Sequence, residues 1–248
     1  MNYKFIQTNS NNHVFTLVLD RENKRNAFTP TMVNEVAHAL KIANDNQDIH
    51  VLVLKANGPV FCAGMDLKTY QNRELDIPNP EIPNQEISLG EVFDRFNKPS
   101  IAIVEGDVIA GGFLFILGCT YVFAKEGLNF RLPEIALGIF PFQVMAGLRR
   151  IIPEKKLLQL CLDSEPFDTI KALELGIVDD LLDPIKIDSL IASFADKSSI
   201  AMKAGFESLK AIREMDSSNQ YNYLLDALDK LKNRPEVKKY IAEKLNKN

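Results

Sequence analysis

The sequence predicts an α/β fold built on a mostly parallel sheet with crossover helices. Val51 to Leu54 form an unbroken apolar run, which is typical of a strand covered on both faces. Ile101 to Val104 and Tyr121 to Ala124 repeat this strand pattern farther along the chain. Helical segments separate the three strands. Because parallel neighbours need a crossover between them, this alternation predicts parallel pairing.

The first β-α-β unit lies at the start of the chain. Val14 to Leu19 form a β-rich run, and a polar stretch leads from it to Thr29 and Pro30. Threonine followed by proline is a helix N-cap with proline at the first helical position. The helix is predicted to run to about Gln47, because apolar residues then recur at steps of three and four: Val33, Val36, Leu40 and Ala43.

The middle of the chain repeats this order. Asn72 to Pro83 read as a polar loop and Ile87 to Phe96 as a helix before the next strand. Residues 108–124 carry no charge, but three glycines interrupt them, so a buried helix followed by a strand is predicted rather than a membrane span.

Beyond Pro153 the sequence becomes helical. We therefore divide the chain into a core, residues 1–185, and a helical C-terminal region, residues 186–248. The helices are expected at Glu154 to Leu162, Asp168 to Leu175, Ile187 to Ala195, Ile200 to Met215, Gln220 to Leu231 and Pro235 to Leu245.

Composition narrows the class of protein. Hydrophobic residues make up 46% of the chain and charged residues 25%, as in soluble globular proteins. The formal net charge of −4 provides no basic field, so nucleic acid is not an expected partner. Three cysteines without a paired spacing argue against a disulfide framework. The N-terminus lacks a signal-peptide pattern. A cytoplasmic location without membrane attachment is expected.

No metal site is expected, because His13, His38 and His50 are scattered without acidic or cysteine residues at ligand spacing. Two glycine-bearing turns remain, Phe61 to Leu67 and Gly106 to Gly112, each after a predicted strand. Such turns direct backbone amides into the crevice where parallel sheets bind ligands. From spacing alone, tight turns and close helix packing are the favoured explanation of the glycines.

These two turns, followed by Pro133 to Ile139, resemble the three signature blocks of the crotonase superfamily, the enoyl-CoA hydratase/isomerase family. Arg21 to Phe28 resemble its N-terminal coenzyme A block. The four blocks occur in order, and the resemblance extends from about residue 3 to residue 190. It implies a crotonase-like (ClpP/crotonase) spiral of β-β-α units and a helical C-terminal trimerisation region, commonly assembled as a dimer of trimers. No prosthetic group is implied; coenzyme A enters as part of the acyl-CoA thioester substrate.

The resemblance also implies roles for individual residues. The backbone N–H groups of Met65 and Gly111 would bind the thioester oxygen as it becomes an enolate. Arg25 would pair with coenzyme A phosphates and the backbone of Ala27 would approach the cofactor. The last two predicted contacts, at the border of the adenine pocket, are Ala63 and Asp66. Spacing alone makes Asp66 a helix N-cap instead.

The acid–base residues bear on the reaction. Hydratases of this family use two glutamates, and the corresponding positions here are Leu114 and Glu134. One carboxylate is sufficient for a double-bond shift, in which it moves a proton from the α-carbon to the γ-carbon. Isomerisation of an enoyl-CoA is therefore favoured. Two alternatives stay open: a hydratase with an unidentified second water-holding group, and a non-catalytic acyl-CoA-binding relative. Apolar residues are expected to surround Glu134, among them Leu114, Ile139, Phe140 and Phe142.

Overall fold

The computed structural model describes residues 1–245, which form two sheets surrounded by helices. The larger sheet has six strands in the order β1-β2-β3-β5-β7-β10, and the smaller has four in the order β4-β6-β8-β9. The strands are Ile6–Asn11 (β1), Val14–Leu19 (β2), Val51–Ala56 (β3), Val60–Cys62 (β4), Ser100–Val104 (β5), Asp107–Ile109 (β6), Tyr121–Ala124 (β7), Asn129–Arg131 (β8), Phe167–Asp168 (β9) and Asp180–Leu181 (β10).

Helices connect the strands and form the C-terminal part of the chain. They are Pro30–Asp45 (α1), Leu67–Gln71 (α2), Leu89–Asp94 (α3), Phe113–Leu117 (α4), Phe142–Leu148 (α5), Glu154–Leu162 (α6), Thr169–Glu174 (α7), Pro184–Ala195 (α8), Ser199–Ala211 (α9), Ser217–Lys232 (α10) and Pro235–Leu245 (α11).

The connectivity is a spiral. β3, β5 and β7 lie side by side in the larger sheet, and each is followed by a short strand, β4, β6 or β8, in the smaller sheet. All neighbours are parallel except β1 with β2 and β8 with β9. The predicted parallel α/β fold and its β-β-α spiral are confirmed.

The larger sheet is covered on both faces, which accounts for its uninterrupted apolar strands. In β3, Leu52 and Leu54 join the main core, which also contains α1. Val51 and Val53 face the opposite way and pack in a second cluster with residues of α8. Because successive side chains of a strand point to opposite faces, a strand with apolar neighbours on both sides loses the usual polar alternation.

The first helix begins where the sequence predicts. The Thr29 side chain accepts a hydrogen bond from Met32 N at 3.3 Å, and Pro30 occupies the first turn. The far end of α1 is tied to the loop before β5. Lys98, only 2% exposed, donates from Nζ to the carbonyl of Ala43 at 2.6 Å and to that of Asn46. A buried ammonium group thus satisfies carbonyls that the helix end leaves unpaired.

The N-terminal strand β1 was not predicted. Apart from Ile6, its side chains are exposed, and it pairs antiparallel with β2 at the edge of the sheet. An edge strand that is solvated on both sides has no apolar alternation, so its sequence resembles that of a loop.

The predicted C-terminal helices are present within small shifts at their ends. α8 packs on the larger sheet, whereas α9 and α10 contain no buried residue. In α10, Tyr221, Leu225 and Leu228 are 81%, 60% and 50% exposed and recur at helical spacing on one face. The division at residue 185 and the trimerisation role of this region stay predictions. No helix in residues 1–245 is long and apolar enough to cross a bilayer.

Candidate active site

Three turns of the candidate site follow three adjacent parallel strands of the smaller sheet. Cys62 of β4 pairs with Val108 of β6, and Ile109 of β6 pairs with Arg131 of β8. Neighbouring strands lie about 4.8 Å apart. The chain segments that leave their carboxyl ends are therefore held side by side, although they are far apart in sequence. The predicted residues Met65, Gly111 and Glu134 lie on these three segments.

The first turn leaves one amide unused. Phe28 N donates to Gly64 O at 2.8 Å, and Asp66 N donates to Phe28 O at 2.9 Å. Met65 lies between these two bonds, and its own N–H points away from Phe28 because successive amides of an extended chain alternate in direction. Gly64 has φ of +84°, and a β-carbon there would lie 2.7 Å from Ala110 Cβ. Glycine thus permits both the turn and its close approach to the second turn.

The second turn is a 3₁₀ segment, Ala110–Gly112, leading into α4. Ala110 has φ of +53°, an unusual value for a residue with a side chain. A left-handed residue followed by right-handed ones directs successive N–H groups toward one point, which favours an anionic oxygen. A β-carbon on Gly111 would lie 3.7 Å from Met65 N, so the two turns are in contact.

The amides of Met65 and Gly111 are available to a ligand. Beyond the bonds internal to helices and strands, neither N–H has a protein acceptor in residues 1–245. The geometry is compatible with two donors that converge on one oxygen, as the sequence predicts. Their role as an oxyanion hole stays a prediction.

Glu134 supplies a buried carboxyl group on the segment that follows β8. It begins the 3₁₀ segment Glu134–Leu137 after β8, is 7% exposed and carries the sole buried side-chain oxygen or nitrogen without a hydrogen-bond partner in residues 1–245, Oε2. Burial raises the pKa of Glu134 above its ordinary value. A carboxyl group that is desolvated and unpaired is well suited to accept and return a proton.

Sequence reasoning did not identify Cys161 as a neighbour of Glu134. Cys161 lies on α6, is fully buried, and has its pKa raised to about 11 by burial and by the Glu134 charge. At neutral pH it is therefore a thiol, an uncharged neighbour that adds no counter-charge to the carboxylate. Nothing in the spacing of the two residues indicates this contact.

The position of the second glutamate in family hydratases is apolar here in structure as well as in sequence. Leu114 is 6% exposed and lies on α4, one turn beyond Gly111. Phe140 is half-buried and packs at 5.6 Å from the Phe142 ring, which itself is 71% exposed. Phe142 therefore forms an exposed apolar surface in this chain, not an enclosed wall, and its pocket role stays a prediction.

Two cavities lie on the side of the molecule that carries α3. The smaller, about 280 Å³, has Leu114 in its wall and lies between α3, α4 and α5. The larger, about 460 Å³, lies between α1, α3 and residues 81–87 and contains none of the predicted site residues. We associate the smaller cavity with the candidate site, because only it adjoins the helix that begins at the second turn.

The predicted coenzyme A block is held against the first turn. Arg25 is exposed with φ of +53°, and its carbonyl accepts a bond from Ala63 N at 2.9 Å. Asn26 is fully buried in the same left-handed conformation; its side chain accepts from Arg21 N and donates to two carbonyls of the chain around β4. Sequence reasoning attached no role to Asn26, although it fixes the block.

Asp66 is the N-cap of α2, where its side chain accepts from Lys68 N and Thr69 N. It also pairs with Arg21 at 2.8 Å, and Arg21 donates to the carbonyl of Ala27 at 2.7 Å. Burial alone would raise the pKa of Asp66, but Arg21 and the helix amides hold it below its ordinary value. The capping role is thus confirmed, while a contact with adenine stays a prediction.

No group of three or more metal-ligating side chains occurs in the described part of the chain. The described residues offer the Met65 and Gly111 amides, a desolvated Glu134 carboxyl group with one unpaired oxygen, and the apolar side chain of Leu114. Proton transfer next to a carbonyl group requires groups of these kinds, and their action together stays a prediction.

Comparisons with known proteins identify the family of this chain. The model of the enoyl-CoA hydratase/isomerase family matches residues 9–246. A hydroxycinnamoyl-CoA hydratase-lyase of Pseudomonas fluorescens is 27% identical and covers 92% of this chain and 86% of its own. A trans-2-decenoyl-[acyl-carrier-protein] isomerase of Streptococcus mutans is 29% identical, with 87% and 82% covered.

Similarity extends to solved structures. The crystal structure of an enoyl-CoA hydratase from Shewanella pealeana superposes with a TM-score of 0.86 at 25% identity, covering 99% of this chain and 95% of that one. Named relatives thus include hydratases, lyases and isomerases, so the comparisons identify the family and not the reaction. The fold and the match of the family model along nearly the whole sequence show that this chain belongs to the enoyl-CoA hydratase/isomerase family, within the crotonase superfamily.

Proposed function

We propose that this enzyme shifts the double bond of an enoyl-CoA thioester through an enolate. The Glu134 carboxylate removes a proton from the α-carbon of a 3-enoyl thioester. The electrons of the broken C–H bond delocalise over the double bond and the carbonyl to give a dienolate. Glu134, now protonated, returns its proton to the γ-carbon, which leaves the conjugated 2-enoyl thioester. Atoms and charge balance without water or a prosthetic group.

Two features together carry this proposal. Glu134 is buried and its Oε2 has no hydrogen-bond partner, and the other acid–base position is occupied by Leu114. A leucine cannot activate water, whereas a single carboxylate is sufficient for a proton shift. The raised pKa of Glu134 supports the role, since a carboxylate with a raised pKa is a stronger base and removes the α-proton more readily.

The amides of Met65 and Gly111 stabilise the enolate oxygen in this proposal. They are fixed by the sheet register and by the bonds of the first turn, so they need no reorganisation when charge develops. One such donor is typically worth about 2.7–4 kcal/mol of transition-state stabilisation. Because both donors are main-chain groups, the side chain of residue 65 does not have to be polar.

Hydration is the second candidate reaction. It is favoured by Ser88 and Gln143, which line the cavity next to Leu114 and are joined by a 2.9 Å hydrogen bond between Ser88 Oγ and Gln143 Oε1. These polar groups share a cavity wall with Leu114 and could hold a water molecule there.

Binding and assembly complete the proposal. The nucleotide part of coenzyme A is contacted by Arg25, Ala27, Ala63 and Asp66. The exposed face of α10 joins copies of the chain into a trimer or a dimer of trimers. The enzyme acts in the cytoplasm. We expect Arg25→Ala to raise the Kd for coenzyme A in calorimetry, with Lys24→Ala as the control. Light scattering of the purified protein measures its mass, and a monomer would contradict the assembly.

The reaction is tested with 3-hexenoyl-CoA and trans-2-hexenoyl-CoA. Isomerisation of the first creates ultraviolet enone absorbance, whereas hydration of the second removes it. We expect the wild type to catalyse the first change and Glu134→Gln to lose about 10²- to 10⁴-fold in kcat. Glu126→Gln, an exposed carboxylate in the turn before β8, is the matched control.

A second measurement separates catalysis from binding. A saturated thioester, hexanoyl-CoA, cannot isomerise, but an enolate-forming enzyme exchanges its α-protons into heavy water. Tight binding without exchange would show a non-catalytic acyl-CoA-binding protein. Unchanged turnover in Glu134→Gln would exclude Glu134 as the base, and hydration faster than isomerisation would select the second candidate. Leu114→Glu restores the second carboxylate and is expected to raise hydration at least tenfold over the wild type.

A further inference from the structure

The cavity next to Leu114 extends away from the second turn along α4. Its wall contains Leu114, Leu117 and Gly118, so it follows this helix from one turn beyond Gly111 to its end. At a rise of 1.5 Å per residue, Gly118 lies about 10 Å from Gly111. Met65, Gly111 and Glu134 do not line this cavity, so an acyl chain that starts at the Gly111 amide has to pass Leu114 to enter it.

Small residues in the wall leave room for the cavity, whose volume is small. Glycine and alanine form much of the wall opposite Leu114: Gly90 on α3, and Ala146 and Gly147 on α5. The volume of about 280 Å³ is at the lower end of the roughly 300–1,000 Å³ that ligand pockets span. The space suits a short acyl group.

Ser88 uses its hydroxyl group in the cavity instead of at the helix end. Serine at this N-cap position ordinarily accepts a bond from an amide of the first turn. Here Ser88 makes no such bond, and its Oγ donates instead to Gln143 Oε1 at 2.9 Å, in a solvent-exposed hydrogen bond between two residues of the cavity wall. The hydroxyl oxygen keeps a lone pair to accept a hydrogen bond, and the Gln143 amide keeps its N–H donors. One acceptor next to one donor matches a hydroxyl group.

The charges of the lining disfavour an acidic acyl group. Glu91 and Asp94 lie in the wall and Arg150 is the cation there. Glu91 pairs with Arg95, while Arg150 is already bound to Asp94 at 2.9 Å. A carboxylate at the end of the acyl chain would have to compete with Asp94 for Arg150 and would lie near Glu91. Like charges disfavour such a ligand.

From these contacts we propose that Ser88 and Gln143 are specificity-determining residues that select a short acyl group bearing a neutral hydroxyl group at its far end. The inference rests on the proposed function, because it takes the acyl chain to start at the Gly111 amide. It adds the substrate class, which the reaction itself leaves open.

The test compares three six-carbon substrates on one enzyme preparation: 3-hexenoyl-CoA, 6-hydroxy-3-hexenoyl-CoA and the 3-hexenedioyl mono-CoA thioester, which ends in a carboxylate. We expect kcat/KM of the wild type to be about tenfold higher for the hydroxylated substrate than for the unsubstituted one, and lowest for the carboxylate. The ratio of two substrates does not depend on the folded fraction, so partial unfolding of a variant does not affect it.

Ser88→Ala and Gln143→Leu are expected to lower that preference about tenfold, whereas Gln47→Leu, an exposed glutamine before β3, keeps it. A wild-type preference at or below one, or a preference that neither variant moves, would overturn the inference. Hexanoyl-CoA distinguishes the two failures. Proton exchange without hydroxyl preference refutes only the specificity, whereas absence of exchange and of turnover with every substrate refutes the proposed function and the inference with it.

Discussion

Substitution of Gly112 by alanine tests whether the two turns must touch. Gly112 has φ of −58°, which alanine adopts without strain, so space alone decides the outcome. Its β-carbon would lie 2.6 Å from the carbonyl oxygen of Cys62, which is backbone and cannot rotate away. Ordinary contact begins near 3.4 Å, so the second turn has to retreat from the first by about 0.8 Å.

This displacement separates the Gly111 amide from the Met65 amide. Both donors must lie about 2.7–3.1 Å from one oxygen, so a shift of this size removes one of them. We expect kcat to fall about 10²- to 10³-fold, as when a single oxyanion donor is deleted. Enone formation from 3-hexenoyl-CoA measures kcat, and urea unfolding under the same conditions gives the folded fraction by which it is corrected.

Gly205→Ala is the matched control. Gly205 lies in α9, is exposed, and a β-carbon there meets nothing within 4 Å. The control should keep kcat and gain about 0.5–1 kcal/mol of stability, since alanine favours the helix. A folded Gly112→Ala enzyme with kcat within threefold of the wild type would refute the idea that close contact of the turns positions the donors.

Three further variants test the free energy of unfolding, measured with urea. Glu134→Gln should be more stable than the wild type only above the ordinary carboxyl pKa. Because the folded-state pKa of Glu134 is raised, the wild type loses stability as the pH rises from the unfolded-state pKa through the folded-state pKa. Equal stability of the two proteins at every pH would contradict this burial penalty. Asn26→Ala should lower the free energy of unfolding by at least about 2 kcal/mol more than Asn12→Ala does. Both asparagines have positive φ, but only Asn26 is buried and hydrogen-bonded. Equal losses in the two variants would assign the effect to backbone strain. Lys98→Met should lower the free energy of unfolding by about 1–3 kcal/mol and keep activity. Lys41→Met, which changes an exposed lysine, should lower it little. A Lys98→Met protein as stable as the wild type would show that the α1 carbonyls need no cap.

The sequence was informative about elements whose surroundings are apolar. The strand Tyr121–Ala124 and the helices Glu154–Leu162 and Pro235–Leu245 have the predicted bounds, and α1 starts at its predicted cap. Burial of one face of a sheet or helix makes apolar residues recur at a regular spacing in the sequence. A helix cap requires a particular type of residue at the helix end. β1 is the counterexample. Its exposed residues contribute backbone hydrogen bonds to β2 and not a buried face, so no regular apolar spacing indicates the strand in the sequence.

The candidate site divides in the same way. The resemblance of the co-linear motifs to those of the crotonase superfamily implied roles for Met65, Gly111 and Glu134. Asp66 was weighed both as a cap and as a binding residue, and the structure confirms the cap. The Arg21 pair with Asp66 and the three bonds of buried Asn26 left no signal, since a single polar residue in a loop looks the same whether it is solvated or buried.

The amino-acid sequence alone indicates the family, the alternation of strands and helices, and the absence of a carboxylate at position 114. These are properties of residue type and local order, which the chain carries before it folds. Only the tertiary structure decided that Glu134 is desolvated with an unpaired oxygen, that Cys161 lies near it, and that Ser88 reaches Gln143 beside Leu114. Burial and pairing depend on which distant segments meet, and the strand register of the smaller sheet, not the spacing along the chain, sets those meetings.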